Sequence, residues 1–271
     1  MKRLINTFAV LALLMTGFYS CTNDDTTTSI NDEISNEVLQ QIKNLGFSID
    51  NVIKEDDHYI VEGDIVLHPT DFQRTDLHTN SLRIAEVEQY RTTNLVTGTP
   101  RTILVWLDSK FASKYSTALN DALGRYNAEN LSLTFQRTNN RNSAHIRITT
   151  AARNASYLAS AGFPTSTGNP YNSIKVNNTY LDNNGWNNNS IASILAHEIG
   201  HCIGFRHTDY MDRSYSCGGS YYNEGASSVG AVHIPGTPTG PDANSWMLSC
   251  IGKDVNRPFN NNDKVALDYL Y

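Results

Sequence analysis

The N-terminal part of the chain contains two hydrophobic patterns of different kinds. Residues 1–20 begin with Lys2 and Arg3 and continue as a mostly apolar stretch, which is shorter than the roughly 20 apolar residues of a membrane-spanning helix. This arrangement predicts a secretory signal peptide. Residues 32–45 carry apolar side chains at the spacing i, i+4, i+8 and i+11, which predicts an amphipathic helix that ends at Gly46.

Further along, the chain alternates between strand and helix patterns. Residues 59–67 predict a strand that breaks at Gly63-Asp64. Four more strands are predicted over residues 102–107, 131–135, 144–148 and 173–177. Three helices are predicted over residues 109–127, from a cap at Asn189 or Ser190 onward, and over residues 263–270. This order predicts an α/β (α+β) fold, with a mixed sheet and helices packed on it.

These patterns divide the chain into three parts. Residues 1–20 are the predicted signal peptide, and residues 99–271 are the regular α/β domain. Between them, residues 21–98 form a polar tether followed by a small, weakly packed N-terminal segment.

The composition indicates which classes of molecule this chain is expected to bind. The 271 residues are 18% charged and 39% hydrophobic, a balance typical of globular proteins, and the formal net charge is −6. An acidic chain lacks the basic footprint of nucleic-acid binding, so we expect no nucleic-acid partner. We expect a monomer.

Cys21 directly follows the apolar stretch, and the chain turns polar after it. This arrangement resembles a bacterial lipoprotein signal, in which the cysteine is lipidated and becomes the mature N-terminus. The resemblance implies an exported protein with a lipid anchor in the cell envelope, as an outer-membrane or cell-surface lipoprotein, or a protein secreted after processing. A conventional signal peptide with an incidental cysteine is the alternative.

The other three cysteines permit at most one internal disulfide if Cys21 carries lipid. Cys217 and Cys250 lie in loop-like sequence, whereas Cys202 lies on a predicted helix. An exported chain allows a disulfide, and we favour the pair Cys217–Cys250, although sequence alone does not determine the pairing.

A histidine-rich helix carries the candidate chemistry. His197 and His201 are four residues apart, so they share one face of a helix and can reach one metal ion. Gly204 permits a sharp turn that brings His207 back as a third nitrogen ligand. Three imidazoles with one open position are typical of a catalytic zinc site, where Glu198 can take a proton from the zinc-bound water.

The spacing His197-Glu198-x-x-His201-x-x-Gly204-x-x-His207 resembles the extended zinc motif of the metzincin metallopeptidases. The string His-Glu-Ile-Gly-His, followed by His-Thr-Asp, is most similar to the bacterial dual-action HEIGH metallopeptidase family. The resemblance implies a mostly parallel sheet, a long zinc-binding helix, a Met-turn at Met247 and a C-terminal helix. Asp209 is expected to accept a hydrogen bond from His207 or to brace its loop, with a solvated turn residue as the alternative.

Two further segments are candidates for controlling access to the zinc. Val61-Glu62-Gly63-Asp64-Ile65 resembles the prosegment motif of astacins, in which an aspartate occupies the open metal position. Asp64 is therefore a candidate latency ligand, with a plain turn residue as the alternative, and cleavage between about residues 90 and 101 is expected to release it. Residues 158–168, with Pro164, are the candidate edge strand along which a substrate would lie.

These observations predict an exported, zinc-dependent (Zn²⁺) endopeptidase that acts on protein or peptide substrates, with residues 99–271 as its catalytic domain. A surface binding or adhesion module with an inactive zinc site is the first alternative, and the presence of Glu198 argues against it. A zinc hydrolase of non-peptide amides is the second, and the candidate Met-turn argues against that.

Overall fold

The computed structural model describes residues 34–73, 89–224, 230–238 and 241–271. The predicted signal peptide and Cys21 lie outside these residues. Residues 34–271 fold as one unit. Within the described part of the chain, no helix is long and apolar enough to cross a membrane.

The N-terminal segment begins with helix α1 (Asn36–Asn44). The Ser35 hydroxyl accepts a hydrogen bond from the Val38 amide at its start, and Gly46 takes a left-handed conformation (φ 81°) after its end. Three antiparallel strands follow, and a 3₁₀ helix closes the segment: β1 (Ile53–Glu55), β2 (His58–Val61), β3 (Ile65–Leu67) and the 3₁₀ helix Pro69–Gln73. The predicted break at Gly63-Asp64 is therefore the turn of a β2–β3 hairpin.

The expectation of a weakly packed N-terminal segment is wrong for its described part. Helix α1 and the hairpin enclose a small core that Phe163 also contacts, formed by Ile42, Leu45, Phe47, Val61, Ile65 and Leu67. Ile42, Val61 and Ile65 are completely buried. The sequence understates this packing because the apolar positions are split between one helix and two short strands.

The remaining strands belong mainly to one five-stranded sheet. They are β4 (Tyr90–Arg91), β5 (Arg101–Leu107), β6 (Leu133–Arg137), β7 (Ile146–Thr150), β8 (Ala159–Ser160), β9 (Ser173–Val176) and β10 (Val232–His233). The sheet order is β6-β5-β7-β9-β8, in which the first four strands are parallel and β8 is antiparallel at the edge. The predicted class, with its mixed and mostly parallel sheet, is confirmed.

Helices cover this sheet and bury the main core. They are α2 (Ser113–Asn127), α3 (Asn178–Asn183), α4 (Asn188–Ile203), the short α5 (Ser214–Cys217) and α6 (Asn261–Leu270). Helix α2 starts later than predicted because the Asp108 side chain accepts a hydrogen bond from the Lys110 amide and forms a turn first. Helix α4 starts earlier than predicted, because Asn187 caps it through the Ser190 amide.

Residues 89–98 are bonded into the main fold. The buried Gln89 side chain donates to Ser245 and Asp263. The Thr92 amide donates to the Gly204 carbonyl, and Val96 lies in the main core. The predicted domain boundary at residue 98 stays a prediction, but these contacts tie the stretch before it to the α/β domain.

Candidate active site

Helix α4 places the first two histidines one turn apart. His197 and His201 are buried, with ring centroids 4.6 Å apart. The helix ends at Gly204, whose φ of 110° is readily adopted only by glycine. A Cβ at this position would lie 2.8 Å from a methyl carbon of Leu95, so the turn also requires the missing side chain. The turn returns His207 to the face of the helix that carries the other two imidazoles.

Each imidazole is oriented by a bond from its Nδ1 atom. His197 Nδ1 lies 2.9 Å from the Trp246 carbonyl, and His201 Nδ1 lies 2.8 Å from the Phe205 carbonyl. His207 Nδ1 lies 3.0 and 3.1 Å from the carboxylate oxygens of Glu224. Because carbonyls and carboxylates only accept, all three rings carry the proton on Nδ1 and present the Nε2 lone pair to a common centre.

That centre fits a metal ion. The buried His197 Nε2 has no hydrogen-bond partner, and the Nε2 atoms of His201 and His207 face each other at 3.2 Å. Two facing lone pairs need a cation between them. Together with Asp64, the three histidines form a group whose ligand atoms all lie within 4.8 Å of one another. Three neutral imidazoles with a further oxygen position suit a zinc ion.

Glu224 is the functional partner that sequence reasoning missed. Its carboxylate accepts from His207, from the Arg213 guanidinium at 2.8 Å and from the Ser249 hydroxyl at 3.2 Å. Asp209, proposed for the His207 contact, instead accepts from Ser216 and from both the amide and the hydroxyl of Ser249. Asp209 thus takes the second of its expected roles and braces the loop.

Met247 is completely buried and lies against Gly200 of the zinc helix. An added Cβ on Gly200 would meet the Met247 sulfur at 2.5 Å, so the glycine inside the His-Glu-Ile-Gly-His string makes room for this side chain. The Met247 carbonyl accepts from the Thr208 amide, next to His207. The candidate Met-turn therefore packs against the zinc helix and bonds to the loop that carries the third histidine.

Glu198 lies between the two helical histidines and is 3% exposed. Its Oε2 atom is buried without a hydrogen-bond partner. Burial and the nearby Asp64 carboxylate raise the pKa of Glu198 well above its ordinary range. An unpartnered carboxylate in this position is able to take up a proton beside the metal site.

Asp64 reaches the metal centre from the N-terminal hairpin. Its Oδ2 atom lies 3.2 Å from His207 Nε2 and 3.5 Å from His197 Nε2. The hairpin also occupies the edge of the main sheet, since the Ala161 amide donates to the Asp64 carbonyl and the Val66 amide donates to the Ala161 carbonyl. The strand that the sequence places over residues 158–168 is only Ala159–Ser160, and Pro164 follows it.

A cluster of buried charges surrounds the hairpin turn. Arg206 pairs with Glu62 at 3.1 Å, and both side chains are completely buried. Arg213 pairs with Glu224 and also donates to the Glu62 carbonyl. Burial and the Glu224 carboxylate raise the pKa of Glu62, and Arg206 opposes the shift. The four side chains together balance two positive and two negative charges.

Comparison with known protein families shows the family of this chain. The family model of dual-action HEIGH metallo-peptidases matches residues 60–271. The chain belongs to this family. It is therefore a metallopeptidase with zinc as its cofactor, and the predicted family, enzyme class and cofactor are confirmed.

Comparisons with curated proteins and with solved structures give no match and weak structural similarity, respectively. A search of the curated proteins finds no match. The solved structure of myroilysin is 14% identical, covers 63% of this chain and 79% of its own, and gives a TM-score of 0.38. High choriolytic enzyme 1, a hatching enzyme zinc-protease from Oryzias latipes (medaka fish), is 13% identical, covers 62% of this chain and 88% of its own, and gives a TM-score of 0.36.

This HEIGH metallopeptidase has a cavity beside the metal centre. Its volume is about 220 Å³, and it extends between helix α4 and the segment after Met247. Apolar walls come from Leu158, Ile194 and Leu248, and Arg257 supplies a cationic side chain. His197 and Glu198 also line the cavity, so a side chain bound there lies next to the site of chemistry.

A disulfide joins the loop after His207 to the segment after Met247. Cys217 and Cys250 are bonded across 33 residues of sequence, and Cys202 is free and buried in the zinc helix. The loop closed by this bond contains Glu224. The same loop thus supplies the carboxylate that orients His207 and is covalently tied beneath the site.

Proposed function

We propose that this zinc metallopeptidase is an exported endopeptidase, which uses Glu198 as general base and is held latent by its own N-terminal hairpin. The observation that carries the proposal is the position of Asp64, whose carboxylate points at the shared centre of the three Nε2 atoms. A buried carboxylate is rarely placed there without a metal to bind.

In the active form, His197, His201 and His207 would hold the zinc ion. Zinc bound there supplies a Lewis acid that polarises the scissile carbonyl and lowers the pKa of water to about 7. Glu198 takes the proton of the attacking water and delivers it to the leaving amine. The backbone of Ala161, at the sheet edge, supplies main-chain hydrogen bonds that hold an extended substrate.

In the latent form, the hairpin occupies both places that a substrate needs. Asp64 fills the open metal position, while Asp64 and Val66 make main-chain hydrogen bonds to Ala161. A zinc ion held by the three imidazoles would keep Asp64 an anion, the form that binds a metal.

Release of the hairpin requires a cut that leaves residues 89–98 in place. Gln89 is bonded to Asp263 and Ser245, and Thr92 to Gly204. A cut within residues 90–101, as the sequence suggests, would remove contacts that support the turn of the zinc helix. We therefore place the activating cleavage N-terminal to Gln89.

Export and lipidation form a separate part of the proposal. They rest on Cys21 and the apolar stretch before it, in a lipoprotein-like arrangement. Incorporation of labelled fatty acid by the wild type and its loss in Cys21→Ser would support the anchor. Labelling that persists in Cys21→Ser would overturn it.

The decisive experiment compares cleavage of a mixed peptide library by four zinc-loaded full-length proteins. Wild type is expected to cleave the peptides only after a lag, and the lag should end when the intact mass shows that the hairpin has been lost. Asp64→Ala is expected to cleave them without that lag. Asp57→Ala, an exposed aspartate in the same segment (side chain 88% exposed), is the matched control and keeps the lag. Glu198→Gln is expected to be inactive although it binds zinc.

The outcomes separate the parts of the proposal. Equal lags in wild type and Asp64→Ala would overturn latency but leave the peptidase. Cleavage that survives a zinc chelator would contradict the zinc mechanism. A folded, zinc-loaded Asp64→Ala protein that cleaves nothing would favour the binding-module alternative.

A further inference from the structure

Arg206 is an unusual neighbour for a zinc ligand. It directly precedes His207, and its side chain is completely buried. The guanidinium lies between two aromatic rings, 5.3 Å from the centre of Phe47 and 5.7 Å from the centre of Tyr210. Its one carboxylate partner in the described part of the chain is Glu62, and its Nε atom has no hydrogen-bond partner.

The contacts of Arg206 come from two sides of the latent structure. Phe47 and Glu62 belong to the N-terminal segment that leaves on activation, whereas Tyr210 belongs to the α/β domain. Departure of the segment therefore removes the carboxylate and one aromatic ring together. It leaves the guanidinium without its described carboxylate partner and with the Tyr210 ring and the Gly230 carbonyl as its described contacts.

The surrounding charges do not replace the lost partner. Glu224 already accepts bonds from His207, Arg213 and Ser249. Without Glu62, the guanidinium groups of Arg206 and Arg213 face the single carboxylate of Glu224. Arg213 also loses its bond to the Glu62 carbonyl. The place that the Glu62 side chain leaves is thus lined by cations and lies beside the metal centre. Its shape already fits a glutamate side chain.

We propose that Arg206, with Arg213 beside it, binds an acidic side chain of the substrate in the place that Glu62 occupies in the latent enzyme. This inference rests on the proposed release of the hairpin and names the substrate class of the same site. Arg206 is then a specificity-determining residue. In the latent enzyme, Glu62 occupies the position of the preferred substrate side chain.

The position of Glu62 restricts where the acidic residue lies. Glu62 is two residues before Asp64, which marks the open metal position. Glu62 and Gly63 form the hairpin turn, with φ angles of 54° and 91°, so they span less than the about 7 Å of two extended residues. The preferred glutamate or aspartate therefore lies within about two residues of the bond that is cut.

The test uses the zinc-loaded full chain after processing N-terminal to Gln89, checked by intact mass. Paired peptides carry Glu or Gln at each of the positions within three residues of the cleaved bond. At one position we expect kcat/KM to be about 10- to 100-fold higher for Glu than for Gln, as for other buried charge pairs. Equal values at every position would overturn the inference but leave the proposed peptidase intact. No cleavage of any peptide would overturn both.

Two variants assign the preference to a residue. In Arg206→Gln the Glu-to-Gln ratio is expected to fall to about one. Arg141→Gln is the matched control, because Arg141 is exposed and is neither a described partner of Glu62 nor part of the cavity lining. A preference that survives in Arg206→Gln, or that Arg141→Gln also abolishes, would contradict the assignment.

A second measurement does not depend on the folding of Arg206→Gln. Synthetic peptides of residues 58–67, with Glu or Gln at position 62, are added to the processed wild type as inhibitors. The Glu peptide is expected to bind about tenfold or more tightly than the Gln peptide, because only the first restores the charge balance around Arg206. Equal inhibition would contradict the proposal.

Discussion

The N-terminal segment (residues 34–73) and the α/β domain (residues 89–271) hold themselves together in different ways. The α/β domain buries a continuous core between its five-stranded sheet and helices α2 and α4. The segment has only six buried apolar residues in its own core and depends on Phe163 of the domain to cover them. At its tip it is held by buried charges, Glu62 and Asp64.

This difference supports the proposal that the segment can be released from a stable α/β domain. Apolar burial stabilises in proportion to area, whereas a buried ion pair gives back much of its attraction in lost hydration. The Glu62–Arg206 ion pair therefore fixes where the tip lies more than it stabilises the attachment. Once the chain is cut before Gln89, the small core of the segment opposes its departure far less than the main core opposes unfolding.

The largest effect is expected from Glu198, which separates chemistry from binding. Glu198→Gln should lower kcat/KM by about 10²- to 10⁴-fold, because the proposed general base is lost. Zinc content should be unchanged, since the three histidines are intact, and the hairpin should stay attached where wild type loses it, since the variant cannot cut its own chain. Peptide cleavage, metal analysis and limited proteolysis measure the three quantities. Activity within tenfold of wild type would contradict the role.

Core truncations in the two regions test the comparison directly. Ile148→Ala, in the centre of the main sheet, should lower the free energy of unfolding of the processed enzyme by about 2–5 kcal/mol. Ile42→Ala, equally buried but in the segment, should leave the processed enzyme unchanged and shorten the lag before activation. Urea unfolding and activation time courses measure these effects. A longer lag in Ile42→Ala would contradict the proposed order of events.

Removal of the disulfide should weaken the α/β domain without touching the main core. A bond that closes a loop of 33 residues stabilises by about 2–4 kcal/mol. The variant Cys217→Ser with Cys250→Ser should lose that amount in urea unfolding. Cys202→Ala is the control for thiol loss and should change stability less, because alanine adds no polar group to the core around this buried residue. Equal losses in both variants would indicate that thiol removal itself matters.

The smallest expected effect concerns the orientation of His207. Glu224→Gln should weaken zinc binding by about 10- to 100-fold, because the carboxylate that orients the imidazole is lost. Asp209→Asn should weaken it less, since Asp209 bonds to Ser216 and Ser249 instead. Competition with a coloured chelator gives both affinities. A larger effect for Asp209→Asn would mean that the loop brace matters more than the contact to the ring.

The sequence predicts the parts of the site that lie close together along the chain. His197, Glu198 and His201 share one helix, and Gly204 marks the turn to His207, so helical spacing and one glycine define the arrangement. The alternation of strands and helices likewise predicts the fold class. These signals are local, and the structure changes only the ends of elements, as at Asp108 and Asn187.

Contacts between distant parts of the chain leave no such signal. Glu224 lies in an irregular loop, and nothing in its surroundings marks it as the partner of His207. The pair Glu62–Arg206 joins residues 144 apart, and each alone is typical of a solvated surface charge. The edge strand is predicted in the right place but too long, because only Ala159–Ser160 pairs with β9, and two residues are too few for an alternating pattern.

The glycine at position 200 has a consequence for how such chains vary. A Cβ added at Gly200 would lie 2.5 Å from the Met247 sulfur and 3.1 Å from the Trp246 ring nitrogen, so these two side chains take up the space that the glycine leaves. The two positions therefore share one fixed volume, although they are far apart in sequence. In relatives with alanine at position 200, position 247 should carry a side chain shorter than methionine. Substitutions at these two positions should therefore arise in pairs.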